Sequence, residues 1–425
     1  LHGLVVHHVR TGIAALNVVS AALDADVRTS GIDVRFSRGR EETVRAIEET
    51  RADGATPVAA WSFYSTDFSA AAEDLAWVKA RADALHLAGG VHATAEPLET
   101  LRAGFDLAAI GEGESTIVAI FDALARGADV RALDGVAHLR DGRLVTHGPG
   151  ARRPLDDFPA FNVRYGKWNA IEITRGCVYA CSFCQTPYMF KARFRHRSVE
   201  NVRMHVRAMS REGSRFQRFV SPTSLSYGSD DASVNLEAVE QLLAAVREEV
   251  GADGKIYFGT FPSEVRPEHV TPAALAILKK YVDNTSLVIG GQSGSERVLR
   301  ETRRGHGVDD IVSAVRTATA AGFRPDVDFL LGVPGETRED REASLALAER
   351  VVAMGARIHS HAFMPLPGTP LRDGAPEAIE PPVRLAMERL ESRGAMYGQW
   401  RRHLLAAEEL VRRRRTKLAE RSTDS

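Results

Sequence analysis

Short apolar runs alternate with longer stretches of helical spacing, and the alternation occurs twice along the chain. This feature constrains the fold more than any other. A strand followed by a crossover helix leads to a strand parallel to the first, so repeated alternation builds a parallel sheet with helices on its faces. In the first series the candidate strands are residues 4–8, 32–36, 57–61, 84–88 and 107–110. Between the third and fourth, in residues 67–82, Leu75, Val78 and Lys79 fall at helical spacing. Five such units predict an α/β, doubly wound (Rossmann-like) sheet, in which ligands bind at the carboxyl ends of the strands. A hairpin over 136–140 and 143–146 is expected next, joined by Asp141-Gly142, a two-residue turn signal. The Gly- and Pro-rich segment from 148 to 159 reads as the start of a linker.

The second series has candidate strands at 170–174, 218–221, 255–260, 285–290, 327–331 and 358–363, separated by helical patterns such as 237–250 and 341–354. Six units predict a curved parallel sheet, a partial (β/α)6 barrel. After Pro370 the pattern turns helical. The expected domains are 1–148, a linker at 149–165, the barrel at 166–375 and a helical extension at 376–425.

Composition narrows the functional classes. With 44% hydrophobic and 26% charged residues and a formal net charge of −1, the 425-residue chain has the balance of a globular protein and no bulk attraction to nucleic acid or membrane. No apolar run reaches the roughly 18 residues of a membrane span, and the start, Leu1-His2-Gly3, is unlike a signal peptide. A cytoplasmic location is the expectation. The basic run Arg412-Arg413-Arg414-Arg415 lacks interleaved aromatics and is balanced by Glu408, Glu409 and Glu420, so it is read as a solvated helix face.

The chain has three cysteines, Cys177, Cys181 and Cys184, all within eight residues. Pairing would strand one of them, and such clustering points to a metal centre. Their spacing is C-x3-C-x2-C, immediately after the first strand of the second series. A structural zinc site normally closes four ligands around the metal, and no fourth cysteine or suitably spaced histidine lies nearby. A catalytic thiol has no need of two companions. Three thiolates on a cubane of four irons leave one iron open, where the amino and carboxylate groups of S-adenosylmethionine (SAM) can chelate.

The run C-x3-C-x-aromatic-C, with Phe183 before the third cysteine, resembles the signature of the radical SAM superfamily. The resemblance implies a [4Fe–4S] cluster on Cys177, Cys181 and Cys184, and reductive cleavage of SAM to methionine and a 5′-deoxyadenosyl radical. It implies an external electron donor such as flavodoxin or ferredoxin. It extends to the segments after the later strands. Ser221 and Thr223, in Ser221-Pro222-Thr223-Ser224, stand where the family contacts the methionine amino group. Ser263 lies in the segment from Phe261 to Pro267. Gln292 and Ser293, in Gly291-Gln292-Ser293-Gly294-Ser295, stand at the ribose and carboxylate contacts. Val333, in Leu331-Gly332-Val333-Pro334-Gly335-Glu336-Thr337, stands where adenine packs, and Phe183 offers backbone to it. The segment from Phe363 to Pro370 ends the series.

In the first series the strand ends carry Trp61-Ser62-Phe63-Tyr64-Ser65-Thr66, Gly89-Gly90-Val91-His92-Ala93-Thr94 and Gly111-Glu112-Gly113-Glu114-Ser115-Thr116. Glycine admits close backbone approach; physically this means a ligand site at a sheet edge, which a nucleotide would satisfy equally. The GG-x-H-x-T turn and GEGE-x-T loop ahead of such a barrel resemble the cobalamin-binding domain of cobalamin-dependent radical SAM enzymes, and the two resemblances together cover about residues 1–375. They imply that the nucleotide tail of cobalamin meets Ser62, Ser65, Thr66, Gly89, Gly90, His92, Thr94, Gly111, Glu112 and Gly113, with the corrin facing the barrel. The D-x-H-x-x-G motif that supplies a lower axial histidine elsewhere is absent. His7 and His8 are read as strand-end polar residues, leaving cobalt without a protein imidazole.

Some barrel motifs also resemble tRNA methylthiotransferases, which need three further cysteines for a second cluster and carry an extra RNA-binding barrel. Methylases that pass a methyl group through cysteine need one more thiol. Neither set of cysteines exists here, which leaves cobalamin as methyl carrier. The expected function is methyl transfer from methylcobalamin to a poorly activated carbon. The alternatives are a cyclase or ring-rearranging reaction with the same cofactors, or a non-catalytic cobalamin sensor. The substrate is expected to be a small molecule, lipid or peptide rather than nucleic acid, and no further catalytic residue is assigned.

Overall fold

The computed structural model describes residues 1–9 and 12–423, with side chains up to residue 416. The chain divides into two compact units, Leu1–Asn169 and Ala170–Ser425.

In the first unit, strands β1 (His2–His7), β2 (Val34–Ser37), β3 (Thr56–Ser62), β4 (Leu85–Gly89) and β5 (Leu107–Ala109) pair in parallel. The hairpin β6 (Val136–Arg140) and β7 (Arg143–Thr146) then continues the sheet antiparallel, giving the order β2-β1-β3-β4-β5-β6-β7. Side chains alternate between two apolar layers. Leu4, Val6, Val58, Ala60 and Leu87 pack with Leu16, Leu23, Ile117 and Phe121 on one face. Val5, Ala59, Trp61 and Ala88 pack with Ile47, Leu75 and Val78 on the other. Burial on both faces is why these strands are almost continuously apolar, each large side chain adding about 1.5–3 kcal/mol. The sheet is doubly wound, as the alternation predicts. The GG-x-H-x-T segment, read as a turn, is a short helix, Gly90–Ala95, because Gly89 stays extended and the chain coils only after it. Residues 149–165 are tied to this unit: Tyr165 accepts a hydrogen bond from the Val34 amide (3.1 Å), and Asn162 donates to Ser20 Oγ (3.2 Å).

In the second unit, β8 (Ile171–Glu172), β11 (Phe216–Val220) and β12 (Lys255–Tyr257) form one parallel sheet, while β9 (Thr174–Arg175) pairs antiparallel with β10 (Arg195–His196). Strands β13 (Ser286–Gln292), β14 (Arg324–Leu331), β15 (Arg357–Ala362) and β16 (Met396–Gly398) form a second parallel sheet. The chain beyond β12 joins the two: Val265 bridges Ile289 in parallel, and the Val288 amide donates to Gly259 O (2.9 Å). The result is one curved run, β8-β11-β12-β13-β14-β15-β16. Val327, Phe329, Leu331, Ile358 and Ala362 pack outward on Ile311, Val315, Leu347 and Val351. By strand alternation, Asp328, His359 and His361 lie on the other face. A seventh strand, β16, adds to the expected six. Met396–Gly398 lies where the sequence predicts helix, and is too short to show a period. Its pairing is set by Ile358, whose amide donates to Ala395 O (2.8 Å). The basic run lies on the helix Trp400–Thr423, where Arg412 pairs with Glu409 and Arg414 donates to Arg372 O.

Buried histidines make the first unit acid-sensitive. His86, fully enclosed, accepts a hydrogen bond from Trp61 Nε1 on Nδ1 (3.2 Å). Burial pushes it from 6.5 down to about 4. A group depressed in the fold contributes stability above its unfolded value that is lost as pH falls through the folded one. Stability should therefore drop between about pH 6.5 and 4. Thermal melts across that range should fall less steeply in His86→Phe than in the parent, the difference reaching the order of 1–3 kcal/mol.

Candidate active site

At the carboxyl end of β8 the chain turns sharply into the cysteine loop. Gly176 has φ +82°, and a side chain there would bring its Cβ to 2.0 Å from Arg193 O. Only glycine permits that backbone crossing. Ala180 is also left-handed (φ +51°), its carbonyl held by Tyr188 Oη at 2.8 Å. The loop brings the three thiols within electrostatic range of one another. Burial pushes Cys177 up to about 11, and neighbouring Cys181 and Cys184 push the same way. Burial also raises Cys184. Three cysteines on one loop, with the thiols of Cys177 and Cys184 raised by burial, fit a metal centre, since iron offsets the cost of the thiolates.

A buried cation stands beside them. Arg304 donates from Nη1 to Cys181 Sγ (3.3 Å) and from Nη2 to Gly290 O (2.5 Å), and lies over the Phe183 ring. Arg266 donates to Arg304 O, pairs with Glu268 (2.5 Å) and lies 3.5 Å over the Tyr179 ring. Glu268 meets His306 (3.4 Å). Burial, with Asp328 adding, pushes Glu264 up to about 7. Arg266, Arg304 and Glu264 were not singled out from the sequence. Burial alone distinguishes these arginines from the many others, and no local pattern signals it.

The expected SAM residues divide into two groups. Ser221, Ser263 and Ser293 spend their hydroxyls inside the protein. Ser263 Oγ accepts from the Ser221 amide (2.9 Å) and donates to Phe219 O (2.7 Å). Ser221 Oγ donates to Thr223 O (2.9 Å), and Ser293 Oγ meets Ser344 Oγ (3.1 Å). Thr223 Oγ1, in contrast, is buried with no hydrogen-bond partner, as are Ser182 Oγ and Glu336 Oε1. Burial pushes Glu336 up to about 7 while its other oxygen accepts from the Gly332 amide (2.6 Å). These unmet polar atoms, near the ends of β8, β11 and β14, fit a polar ligand, because buried polar atoms are normally satisfied. Phe183 and Val333 pack with Leu330, Phe363 and Leu371. Gln292 sits at a register shift in β13 with φ +78°.

In the first unit, three loops at the carboxyl ends of β3, β4 and β5 are knitted together. His92 Nδ1 meets Ser65 Oγ (3.0 Å), and Gly111 N donates to Thr94 Oγ1 (3.1 Å). A Cβ on Gly90, where φ is +87°, would lie 2.7 Å from Ser62 Oγ. His92 is enclosed between Phe63 and Phe68, with Glu99 at 3.4 Å. Glu112 is buried at the start of the helix Gly113–Ala125, with Arg152 at 3.8 Å, while Thr66 is exposed. Gly89 and Gly113 are half-buried. His7 stacks on Trp61 (3.9 Å) and meets Thr43 Oγ1 (2.8 Å), and His8 meets Asn17 (3.0 Å). A cavity of about 420 Å³ opens at the ends of β1 and β2, lined by His8, Val9, Ile13, Arg38 and Gly39. A glycine cradle at the strand ends fits a bulky ligand.

Residues 171–348 match the Radical SAM superfamily profile, and residues 11–121 match the B12 binding domain profile. The chain is a B12-binding radical SAM protein. The superfamily implies a [4Fe–4S] cluster and SAM, and the B12-binding domain implies cobalamin. Among curated relatives, an uncharacterized protein of Methanopyrus kandleri is 26% identical, covering 66% of this chain and 61% of its own length. An uncharacterized methyltransferase of Pyrococcus horikoshii is 25% identical, with 62% and 57% covered. A tRNA-2-methylthio-N(6)-dimethylallyladenosine synthase of Saccharophagus degradans is 30% identical, with 49% and 46% covered. The chain thus spans about half to three fifths of the length of these relatives. The fold is shared with the radical SAM methyltransferase TsrM from Kitasatospora setae, solved with cobalamin and a [4Fe–4S] cluster (TM-score 0.67, 17% identity, 87% of this chain and 74% of that one). It is shared too with the cobalamin-dependent radical enzyme OxsB (TM-score 0.66, 14% identity, 82% and 52%). Among the described residues no helix is long and apolar enough to cross a membrane.

Arg304 should tune the B12-binding radical SAM protein's cluster. Removing a cation and a hydrogen bond from Cys181 leaves more charge on the sulfur, so Arg304→Met should shift the cluster potential negative. An anaerobic redox titration followed by electron paramagnetic resonance, at equal iron content, checks this. An unchanged potential would exclude a tuning role.

In the first unit, Gly90→Ala should cost about 1–2 kcal/mol from its left-handed backbone. Gly90→Leu should additionally displace Ser62 and weaken hydroxocobalamin binding. Equilibrium dialysis, with circular dichroism to confirm folding, measures both, and Thr94→Val gives a second, milder probe of the same loops.

Proposed function

We propose that the chain is a cobalamin-dependent methyltransferase acting on a poorly activated carbon of a small-molecule, lipid or peptide substrate. One observation carries this reading: B12-binding and radical SAM domains lie in one chain whose only cysteines are the clustered Cys177, Cys181 and Cys184, with Arg304 on Cys181. When bound, the reduced cluster and SAM supply a 5′-deoxyadenosyl radical, and cobalamin supplies a transferable methyl group. Cys177, Cys181 and Cys184 would hold the cluster, Arg304 would neutralise charge on its sulfurs, and the enclosed face around Phe183, Val333 and Phe363 would exclude water from SAM. With the cluster occupying all three thiols, none remains to carry a methyl group or a second cluster within these 425 residues. This separates the chain from the methylthiotransferases it resembles in sequence.

The test needs no knowledge of the substrate. Protein reconstituted with iron, sulfide and hydroxocobalamin is reduced and given SAM labelled in its methyl group. Label should appear on the bound cobalamin, and 5′-deoxyadenosine should form. Cys181→Ala should abolish deoxyadenosine formation. Deoxyadenosine formed with no label ever reaching cobalamin would favour a cyclase or ring-rearranging reaction instead.

A further inference from the structure

We propose that Asp328, His359 and His361 form a binding site for a divalent transition-metal cation of the zinc class, separate from the cysteine cluster. Asp328 lies on β14 and is the register partner of His359 on β15. His361, two residues further along β15, falls on the same face. Phe329 and Ile358, on the opposite face, belong to the apolar core, so the three polar side chains are turned away from that core. Among the described residues, Asp328, His359 and His361 are the His/Cys/Asp/Glu group able to converge ligand atoms in this way.

The same three atoms face one another in pairs. His359 Nδ1 lies 2.7 Å from Asp328 Oδ1 and 3.2 Å from His361 Nε2, and His361 Nε2 lies 3.7 Å from Asp328 Oδ1. Ligand atoms about 2.0–2.1 Å from a tetrahedral zinc are about 3.3 Å apart. The triangle therefore has a point roughly 2 Å from all three corners, close to its plane. One proton on His359 Nδ1 serves a single neighbour well and leaves another lone pair crowding it. A cation satisfies all three at once.

The imidazoles are also held in place. His359 stacks on Tyr397 (4.7 Å, 15° between planes) and His361 on His403 (5.4 Å, 9°). Such packing fixes ring orientation before a ligand arrives. Exposure is graded, 5% for the Asp328 side chain against 17% and 28% for His359 and His361. The carboxylate is anchored while the histidine side admits a fourth ligand. Three protein ligands and an open position are the arrangement of a metal that binds a reactant rather than only bracing the fold. The open position suits an anionic or hydroxyl group of the substrate. Two histidines and one carboxylate also accommodate iron(II), so the metals compete in the test.

Cluster-loaded protein is dialysed against zinc, cobalt(II) or iron(II), and bound metal is counted beyond the cluster's own iron. About one zinc per chain should bind. Cobalt(II) should show d–d absorption without thiolate charge transfer. Asp328→Asn and His361→Ala should each weaken zinc binding roughly tenfold or more, and Cys181→Ala should leave this site's zinc affinity unchanged. His361→Ala, at a partly exposed position, should melt like the parent, which separates lost binding from lost folding. Zinc binding that is absent in the parent, or unaltered in both ligand variants, or lost only with Cys181, overturns the proposal. Methyl transfer to cobalamin is a separate measurement, so either reading can fail alone.

Discussion

A parallel strand cannot return through a tight turn; it needs a crossover, here a helix, before its neighbour begins. Everything functional in this chain follows from that constraint. It puts helices on both faces of the first sheet and on the outer face of the curved second one. It also sends the chain's loops out at the same strand ends each time. The glycine cradle after β3, β4 and β5 and the cysteine loop after β8 are two uses of one geometric fact. Neither requires its residues to be neighbours in sequence, only to leave the sheet on the same side.

The second unit shows what such a sheet can enclose. Its outer face is apolar and packed on helices, while its inner face carries charge in positions where charge is costly. Arg304, Arg266, Glu264, Asp328 and Glu336 are all buried or half-buried. A buried charge survives only with compensation. Some of it is internal: Glu268 holds Arg266, and His359 holds Asp328. Elsewhere the compensation is incomplete. Arg304 Nε and Glu336 Oε1 have no hydrogen-bond partner, and the thiols of Cys177 and Cys184 are raised by burial. An interior that leaves polar atoms unmet is arranged for ligands, and the fold's apolar exterior supplies the stability that offsets it.

In the first unit His86 Nε2 and both ring nitrogens of His138 are likewise buried without a hydrogen-bond partner. His7, His86 and His92 are enclosed and engaged by Thr43, Trp61 and Ser65. Burial holds His7 and His86 near 4, so these rings stay neutral. They brace the strands against one another, and the cavity at the ends of β1 and β2 is bordered by His8 and Arg38.

The sequence by itself determined the features whose cause is local. Strand and helix periods gave the doubly wound sheet and the order of the curved one, because burial on one or two faces is written into spacing of two or 3.6 residues. The cysteine triad was legible because its ligands sit within one loop. Met396–Gly398 was missed because three residues carry no period, and their pairing is dictated by β15. Only the tertiary structure decided which polar groups meet. Arg304 reaches Cys181 across 123 residues of chain, and Asp328 joins His359 and His361 only through the register of β14 against β15. Nothing in a run of residues distinguishes a buried arginine or histidine from a solvated one. That difference is made by what the fold packs around it.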